Sequence, residues 1–241
     1  MQLIRDHTLK QVASSFHIVG LCLGLLASLL SAPVSAELAI SQLIIEFGAG
    51  SLRAKDIEIF NDSPDRSFVS VEPREIIEPG TPNEHPFTSR DPEKLGILAS
   101  PARLVLEPHQ RRTLRIAVIG PQSENERVYR VTVKPVTGDV AGDESGLKLL
   151  VGYDLLVLVR PSVKKTDIRV MRAGHSLMLI NHGNSSVELS DGKQCDENGK
   201  NCQSLPGKRL YAGASWEQSL PRLTEGEYRA RSVNGWSVVK F

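Results

Sequence analysis

The sequence has few cysteines, few aromatic residues and little net charge. It holds 3 cysteines among 241 residues, aromatic residues make up 5% of the chain, and the formal net charge is +1 at pH 7. A balance so close to neutral gives no sign of a nucleic-acid or membrane-surface partner. We therefore expect no nucleic-acid binding, and any basic function must be local.

The chain also lacks the short motifs that carry enzyme chemistry. It contains neither a Gly-x-Ser-x-Gly nucleophile turn nor a glycine-rich phosphate loop after a strand. Its histidines show no metal-binding spacing such as His-Glu-x-x-His. We expect a protein that is not an enzyme and that has no catalytic residue, metal site or cofactor.

Only one long hydrophobic run is present, and it lies near the N-terminus. Arg5 and Lys10 precede a run from Ile18 to Leu30, and Val34-Ser35-Ala36 then offers small residues for cleavage. The run is shorter than the roughly 20 residues that span a bilayer as a helix. It predicts an export signal over residues 1–36 and no membrane insertion of the mature chain. An uncleaved anchor is the alternative.

Two cysteines, Cys195 and Cys202, remain after the predicted cleavage. In an exported chain such a pair predicts a disulfide, here closing a small loop. A metal site would need further ligands nearby, and residues 196–201 contain no histidine or cysteine.

Strand patterns bounded by turn residues dominate the mature chain. The first series is Leu38 to Phe47, Lys55 to Phe60, Ser67 to Glu72, Arg103 to Leu106, Arg112 to Ile119, Val128 to Val133 and Leu147 to Val159. The second is Ile168 to Arg172, Ser176 to Ile180, Ser186 to Leu189, Ser215 to Ser219, Tyr228 to Ser232 and Trp236 to Phe241. Short strands at this spacing predict an all-β protein with two immunoglobulin-like β-sandwich domains, over residues 37–160 and 161–241.

The last strand of the first series carries a regular apolar row. Leu147, Leu149, Val151, Tyr153 and Leu155 occupy every second position, so their side chains share one face. Such a row can face the protein's own core, or it can lie at a sheet edge and pair with a partner. The residues alone leave both alternatives open.

Several runs carry a resemblance to a known family. The runs from Ser100 to Pro108 and from Arg112 to Ile116, with Asn61-Asp62 and Tyr129, resemble the first domain of the periplasmic pilus chaperones of the chaperone-usher pathway. Arg160-Pro161 is similar to the family's domain junction. The cysteine loop that ends in Leu205-Pro206-Gly207-Lys208 resembles the branch that serves alternative, or common-pilus type, fimbriae.

The resemblance implies a chaperone in the periplasm whose two domains form an L or a boomerang. Its partners would be pilus subunits and an outer-membrane usher, and whether the free protein forms a self-capping dimer stays open. Each subunit lacks one strand of its fold, and the chaperone supplies that strand. Donor side chains would come from Leu147, Leu149, Val151 and Tyr153.

The family also holds the terminal carboxylate of the subunit with two cations, because a buried carboxylate needs a positive partner. At the usual positions this chain has Leu156 and Ile44, which cannot bind an anion. Arg130 is the best replacement, since its neighbours in the strand would face the core, and Arg127 is the second choice. Arg53 and Lys55 are further alternatives.

A charged cluster braces the two domains in the family, and the resemblance carries two of its members over to Glu126 and Arg160. The third, an aspartate, aligns with Gly235, so we expect an incomplete and exposed pair of modest strength.

A structural pilin or a two-domain adhesin of the same exported β class is the alternative function. A pilin would carry its alternating segment at the mature N-terminus. Here the alternating strand is internal and a second strand series follows, which favours the chaperone.

Overall fold

The alternation of apolar and polar residues builds the first sandwich. In the strand over Ala54–Asn61, Ile57 and Ile59 are fully buried, whereas Asp56 and Glu58, which alternate with them, are exposed. A period of two assigns alternate side chains to opposite faces of a strand. The computed structural model describes residues 38–48, 50, 52–136 and 150–241, and these residues form the sheets described below.

The first sandwich contains ten strands and one short helix. The strands are β1 (Leu38–Ile40), β2 (Ile44–Phe47), β3 (Ala54–Asn61), β4 (Ser67–Ile77), β5 (His85–Phe87), β6 (Ile97–Ser100), β7 (Arg103–Leu106), β8 (Arg111–Val118), β9 (Arg127–Val136) and β10 (Tyr153–Val159). One sheet has the order β1-β3-β8-β6, and the other has the order β2-β10-β9-β4-β5, with β7 also paired to β4. Apolar residues from both sheets form one buried core between them.

Several local features differ from the sequence prediction, and three of them concern the ends of the first sandwich's strands and its helix. The predicted strand from Leu38 to Phe47 is two strands, because β1 pairs with β3 while β2 crosses to the other sheet and pairs in parallel with β10. The predicted strand from Leu147 begins at Tyr153 within the described residues. Helix α1 (Pro92–Leu95) was not predicted, since it is only one turn long and is fixed by local capping.

The second sandwich uses the remaining eight strands. They are β11 (Ile168–Ala173), β12 (Ser176–Asn181), β13 (Val187–Gln194), β14 (Gln203–Leu205), β15 (Lys208–Leu210), β16 (Ser215–Ser219), β17 (Gly226–Ser232) and β18 (Gly235–Lys240). They form the sheets β11-β12-β16 and β14-β13-β17-β18, with β15 paired to β13. A separate buried core includes Leu177, Leu179 and Tyr228. The predicted all-β fold with two sandwiches is confirmed.

The predicted disulfide is confirmed. Cys195 and Cys202 are bonded across a loop of seven positions in sequence. Inside the loop, Asp196 accepts hydrogen bonds from the backbone nitrogens of Asn198 and Lys200 and from the side chain of Asn201. These bonds, led by that of Lys200, lower the pKa of Asp196. The disulfide and one carboxylate therefore hold the same small loop.

The predicted export signal and the donor residues Leu147 and Leu149 lie outside the described residues. Strands up to Val159 pair only within the first two sheets, and strands from Ile168 pair only within the other two. No helix in the described part of the chain is long and apolar enough to cross a membrane.

Candidate functional site

One face of the sheet that contains β10 points away from the core of the first sandwich. Leu156 pairs with Arg130 on one side and with Ile44 on the other, and Arg130 pairs with Arg74. Residues directly opposite each other share a face of the sheet. These four residues therefore form one row across β4, β9, β10 and β2, and the two apolar members lie beside two arginines.

Leu156 is apolar because its position is covered. It is 6% exposed and forms a small buried cluster with Val128 and Leu158, against which Ile76 and Tyr211 pack. A lysine at this place would lose much of its hydration. The positive charges of the row lie on the next two strands, at Arg130 in β9 and at Arg74 in β4.

Two arginines and one carboxylate form the charged part of this row. Arg74 donates from Nη2 to both carboxylate oxygens of Asp154 at 3.0 Å, and the Thr132 hydroxyl donates to the same carboxylate at 2.8 Å. Nε of Arg130 lies 3.9 Å from Oδ2 of Asp154. Two positive charges and one negative charge leave a surplus of one positive charge. Both arginine side chains are about a third exposed, at 29% and 34%, so an anion can reach them from solvent.

The second sandwich contributes Tyr211 to the edge of this cluster. Its ring packs on the apolar residues beside Arg130. Burial raises the pKa of Tyr211, while the nearby charges of Arg130 and Arg209 lower it and so oppose that shift. The hydroxyl makes no hydrogen bond within the described part of the chain, so it remains a free donor near Arg130.

The prediction that Arg127 could serve as an anchor is corrected. Its guanidinium donates to both carboxylate oxygens of Glu75 at 2.7 Å and to the backbone oxygen of Leu95 at 3.0 Å. The hydrogen bonds to Glu75 raise the pKa of Arg127. Because Glu75 already satisfies this charge near the buried Tyr129, Arg127 is a structural residue of the first sandwich.

The alternating row divides at Tyr153. Val151 is 49% exposed. Tyr153 packs against the core of the first sandwich, and its hydroxyl donates to the backbone oxygen of Leu38 at 2.7 Å. Leu155 is fully buried in the same core. The side chain of Tyr153 is therefore packed against its own domain, and its role as a donor residue stays a prediction.

The strand β10 has a partner on only one side at its N-terminal end. Tyr153, Asp154 and Leu155 pair with β9, whereas pairing with β2 begins at Leu156. The other edge of these three residues pairs with none of the described strands. Unpaired backbone groups at such an edge can accept a further strand.

Arg160 follows β10 and lies at the junction of the two sandwiches. Its guanidinium forms ion pairs with Glu126 and, at 3.0 Å, with Glu46, and it donates to the hydroxyl of Ser186 in the second sandwich at 3.1 Å. The side chains of Arg160 and Glu126 are 7% and 1% exposed. The pair is thus buried, and the expectation of an exposed pair is wrong.

The junction replaces the missing aspartate with other groups. Gly235, the first residue of β18, has a φ of 100°, a conformation that disfavours an aspartate. Glu46 supplies a carboxylate from the first sandwich instead. Asn184 of the second sandwich donates to the backbone oxygen of Glu124 at 2.9 Å, and its own backbone oxygen accepts from the Glu126 nitrogen at 2.8 Å.

Sequence reasoning missed Arg74, Asp154 and Tyr211. The alternation within β4 could have placed Arg74 on the outward face with Ser70 and Glu72. It could not show that Arg74 lies opposite Arg130, since that depends on the register of strands far apart in sequence. Among the described residues, no group of three or more histidine, cysteine, aspartate or glutamate side chains could hold a metal ion.

No protein-family model matches the chain. A curated CS1 fimbrial protein of Escherichia coli, named as a subunit of that fimbria, is 27% identical over 175 residues, which cover 68% of this chain and 73% of that protein.

Several solved structures are similar to this chain in fold. The class 5 fimbriae chaperone CfaA has a TM-score of 0.63 at 17% identity, covering 84% of this chain and 98% of CfaA. The CsuC–CsuE chaperone–tip adhesion complex of Acinetobacter baumannii gives 0.59 at 12% identity, covering 85% and 98%. The Salmonella enterica SafA pilin in complex with the SafB chaperone gives 0.56 at 18% identity, covering 87% and 98%. The chain has the fold of the fimbrial chaperones, so the resemblance is confirmed at the level of fold.

We predict that Arg160→Ala destabilises the protein far more than loss of an exposed pair. It leaves Glu126 buried without its cation, which costs about 3–5 kcal/mol. Arg115→Ala is the control, because its pair with Asp56 at 2.7 Å is exposed and contributes little. Urea unfolding of both variants measures the difference.

The double variant Arg160→Met with Glu126→Gln should recover much of that loss, because it removes both buried charges together. Equal unfolding midpoints for Arg160→Ala and Arg115→Ala would contradict a buried role.

Proposed function

We propose that this protein is a periplasmic chaperone that stabilises pilus subunits through a donated strand and delivers them to an outer-membrane usher. The observation that carries the proposal is the half-open β10, whose N-terminal end pairs on one side only among the described strands. The fold of the fimbrial chaperones and the motifs around Ser100-Pro101 support it. No cofactor or catalytic step is needed.

The donated strand would act through backbone and side chains together. An incomplete subunit exposes a hydrophobic groove beside unpaired strand edges, which would aggregate if left open. Leu147, Leu149 and Val151 would fill this groove, each contributing up to about 1.5–3 kcal/mol when fully buried. Val151 is 49% exposed, as expected for an apolar side chain that is buried only when a partner binds.

The terminal carboxylate of the pilus subunit would bind at Arg130 and Arg74. These two guanidinium groups share the single carboxylate of Asp154, so a second carboxylate finds one uncompensated positive charge. Arginine binds carboxylates through paired, charge-assisted hydrogen bonds. The free hydroxyl of Tyr211 near Arg130 could add a further donor. A fixed carboxylate would set the register of the incoming strand along β10.

A structural component of the fimbria is the second candidate function, and the name of the Escherichia coli relative favours it. Two observations favour the chaperone. The open strand edge is internal, and a complete second sandwich follows it. Each sandwich also has its own buried core, which an incomplete pilin domain would lack.

Co-expression with a candidate pilus subunit in the periplasm separates these two functions. A chaperone should rescue the subunit from degradation and elute with it as a soluble one-to-one complex on size-exclusion chromatography. Entry of this chain into a polymer would contradict the proposal and support the structural alternative.

We predict that Leu149→Glu abolishes capture of the pilus subunit while the protein stays folded. A buried carboxylate in the groove of the subunit would have no partner, and its desolvation opposes binding. Val163→Glu is the matched control, because Val163 is 78% exposed in the connection after β10. Co-purification yield and circular dichroism measure the two effects. Normal capture by Leu149→Glu would exclude this residue from the donor row.

We predict that Arg130→Ala and Arg74→Ala each lower the affinity for the pilus subunit about tenfold or more, since each removes a charge-assisted partner of the carboxylate. Arg229→Ala, which removes an exposed pair with Asp191 in the second sandwich, should leave the affinity unchanged. Titration calorimetry with a subunit whose C-terminus is free or amidated tests the cause. If the variants lost the same affinity for the free and the amidated subunit, the terminal carboxylate would not bind at these arginines.

A further inference from the structure

A cleft opens in the first sandwich between β7 and β8, away from the face that carries Arg130. The two strands follow each other in sequence but belong to different sheets. The cleft has a volume of about 730 Å³ and is lined by Glu58, Pro101, Arg103, Leu104, Val105, Arg111, Arg112 and Thr113. This volume is in the range of sites that bind ligands.

Both strands present a free edge to this cleft. β7 pairs with β4 alone among the described strands. In β8, the residues from Arg111 to Leu114 pair with β3, but pairing with β6 on the other side starts only at Arg115. Free edges expose unpaired N–H and C=O groups and can accept an extended peptide as an additional strand.

Three arginines and one carboxylate surround these edges. Arg103 and Arg112 make no side-chain hydrogen bond or ion pair within the described part of the chain. Arg111 lies over the ring of Phe60 at 4.5 Å, and its contact with Glu58 is long, at 3.5 Å. The cleft therefore carries a surplus of two positive charges.

Arg112 is unusual because its position in β8 belongs to the core side. Leu114 and Ile116, two and four positions further along, are both fully buried, and alternate residues of a strand share a face. Arg112 lies on this same face at the open end of the sandwich and lines the cleft. Arg112 itself is exposed at this end of the strand, so its guanidinium is accessible to an anionic partner.

We propose that this cleft binds an extended acidic segment of a partner protein. The segment would add a strand to the free edge of β7 or β8, and its carboxylates would pair with Arg103 and Arg112. Charge complementarity favours an acidic sequence. The free edges favour an extended peptide over a small anion, because only a peptide has backbone groups that pair with a strand. Neither strand pairs with β10, so this site is independent of the proposed donor strand.

The test uses a fluorescent, end-capped peptide of about five residues that alternates glutamate and valine, a length that spans the free edges. Fluorescence anisotropy should detect binding to the purified protein. Arg103→Gln and Arg112→Gln should each weaken it by about tenfold. Arg115→Gln is the control, because Arg115 is an exposed arginine of the same strand that already pairs with Asp56. Thermal unfolding verifies that each variant is folded.

Two further probes separate a peptide site from a simple anion site. The same peptide with methylated backbone nitrogens should bind at least about tenfold more weakly, since it cannot pair with a strand edge. Inorganic phosphate at millimolar concentration should not displace the unmodified peptide. Equal binding of the methylated peptide, displacement by phosphate, or unchanged affinity in both arginine variants would each overturn the proposal.

Discussion

The buried charge of Arg160 ties together parts of this protein that lie far apart in sequence. It pairs with Glu126 before β9 and with Glu46 in β2, and it donates to Ser186 of the second sandwich. A buried ion that loses its partners has no water to replace them. The end of β10 and the start of the second sandwich are therefore held at one point. For the proposed function, the open N-terminal half of β10 would depend on this fixed end, because a strand that is to pair with a partner needs a defined direction and register.

The junction between the two sandwiches also explains where the positive charges of the outward face lie. Tyr211 covers the row at Leu156, next to the junction, and the covered position is apolar. Arg130 and Arg74 follow Leu156 along the row, and Asp154 of β10 balances only one of the two charges. A carboxylate beside two arginines keeps both of them in place, at the cost of competing with any anion that arrives. At the proposed carboxylate site, the affinity would thus depend on the chain's own aspartate as well as on its arginines.

Much of the fold follows from the sequence, and less of the site does. Alternation predicted most strands, the spacing of Cys195 and Cys202 predicted the disulfide, and the outward position of Arg130 followed from its neighbours. The split between β1 and β2 was missed, since a strand pattern does not record a change of sheet. Arg74 was missed for a related reason: its position opposite Arg130 depends on register. A period of two tells which side chains share a face, but not which surface covers that face.

The row from Leu147 to Leu155 illustrates this limit of what alternation can predict. Tyr153 and Leu155 fill the protein's own core, as the simpler alternative expected. The antiparallel register that pairs Tyr153 with Val133 brings the last residue of β9, Val136, to the level of residue 150. A strand that continues beyond that level with the same alternation would present its apolar face where this sheet offers no strand to cover it. Under the proposed function, the periodicity that packs one half of the row into its own domain would place the other half in the core of a different protein.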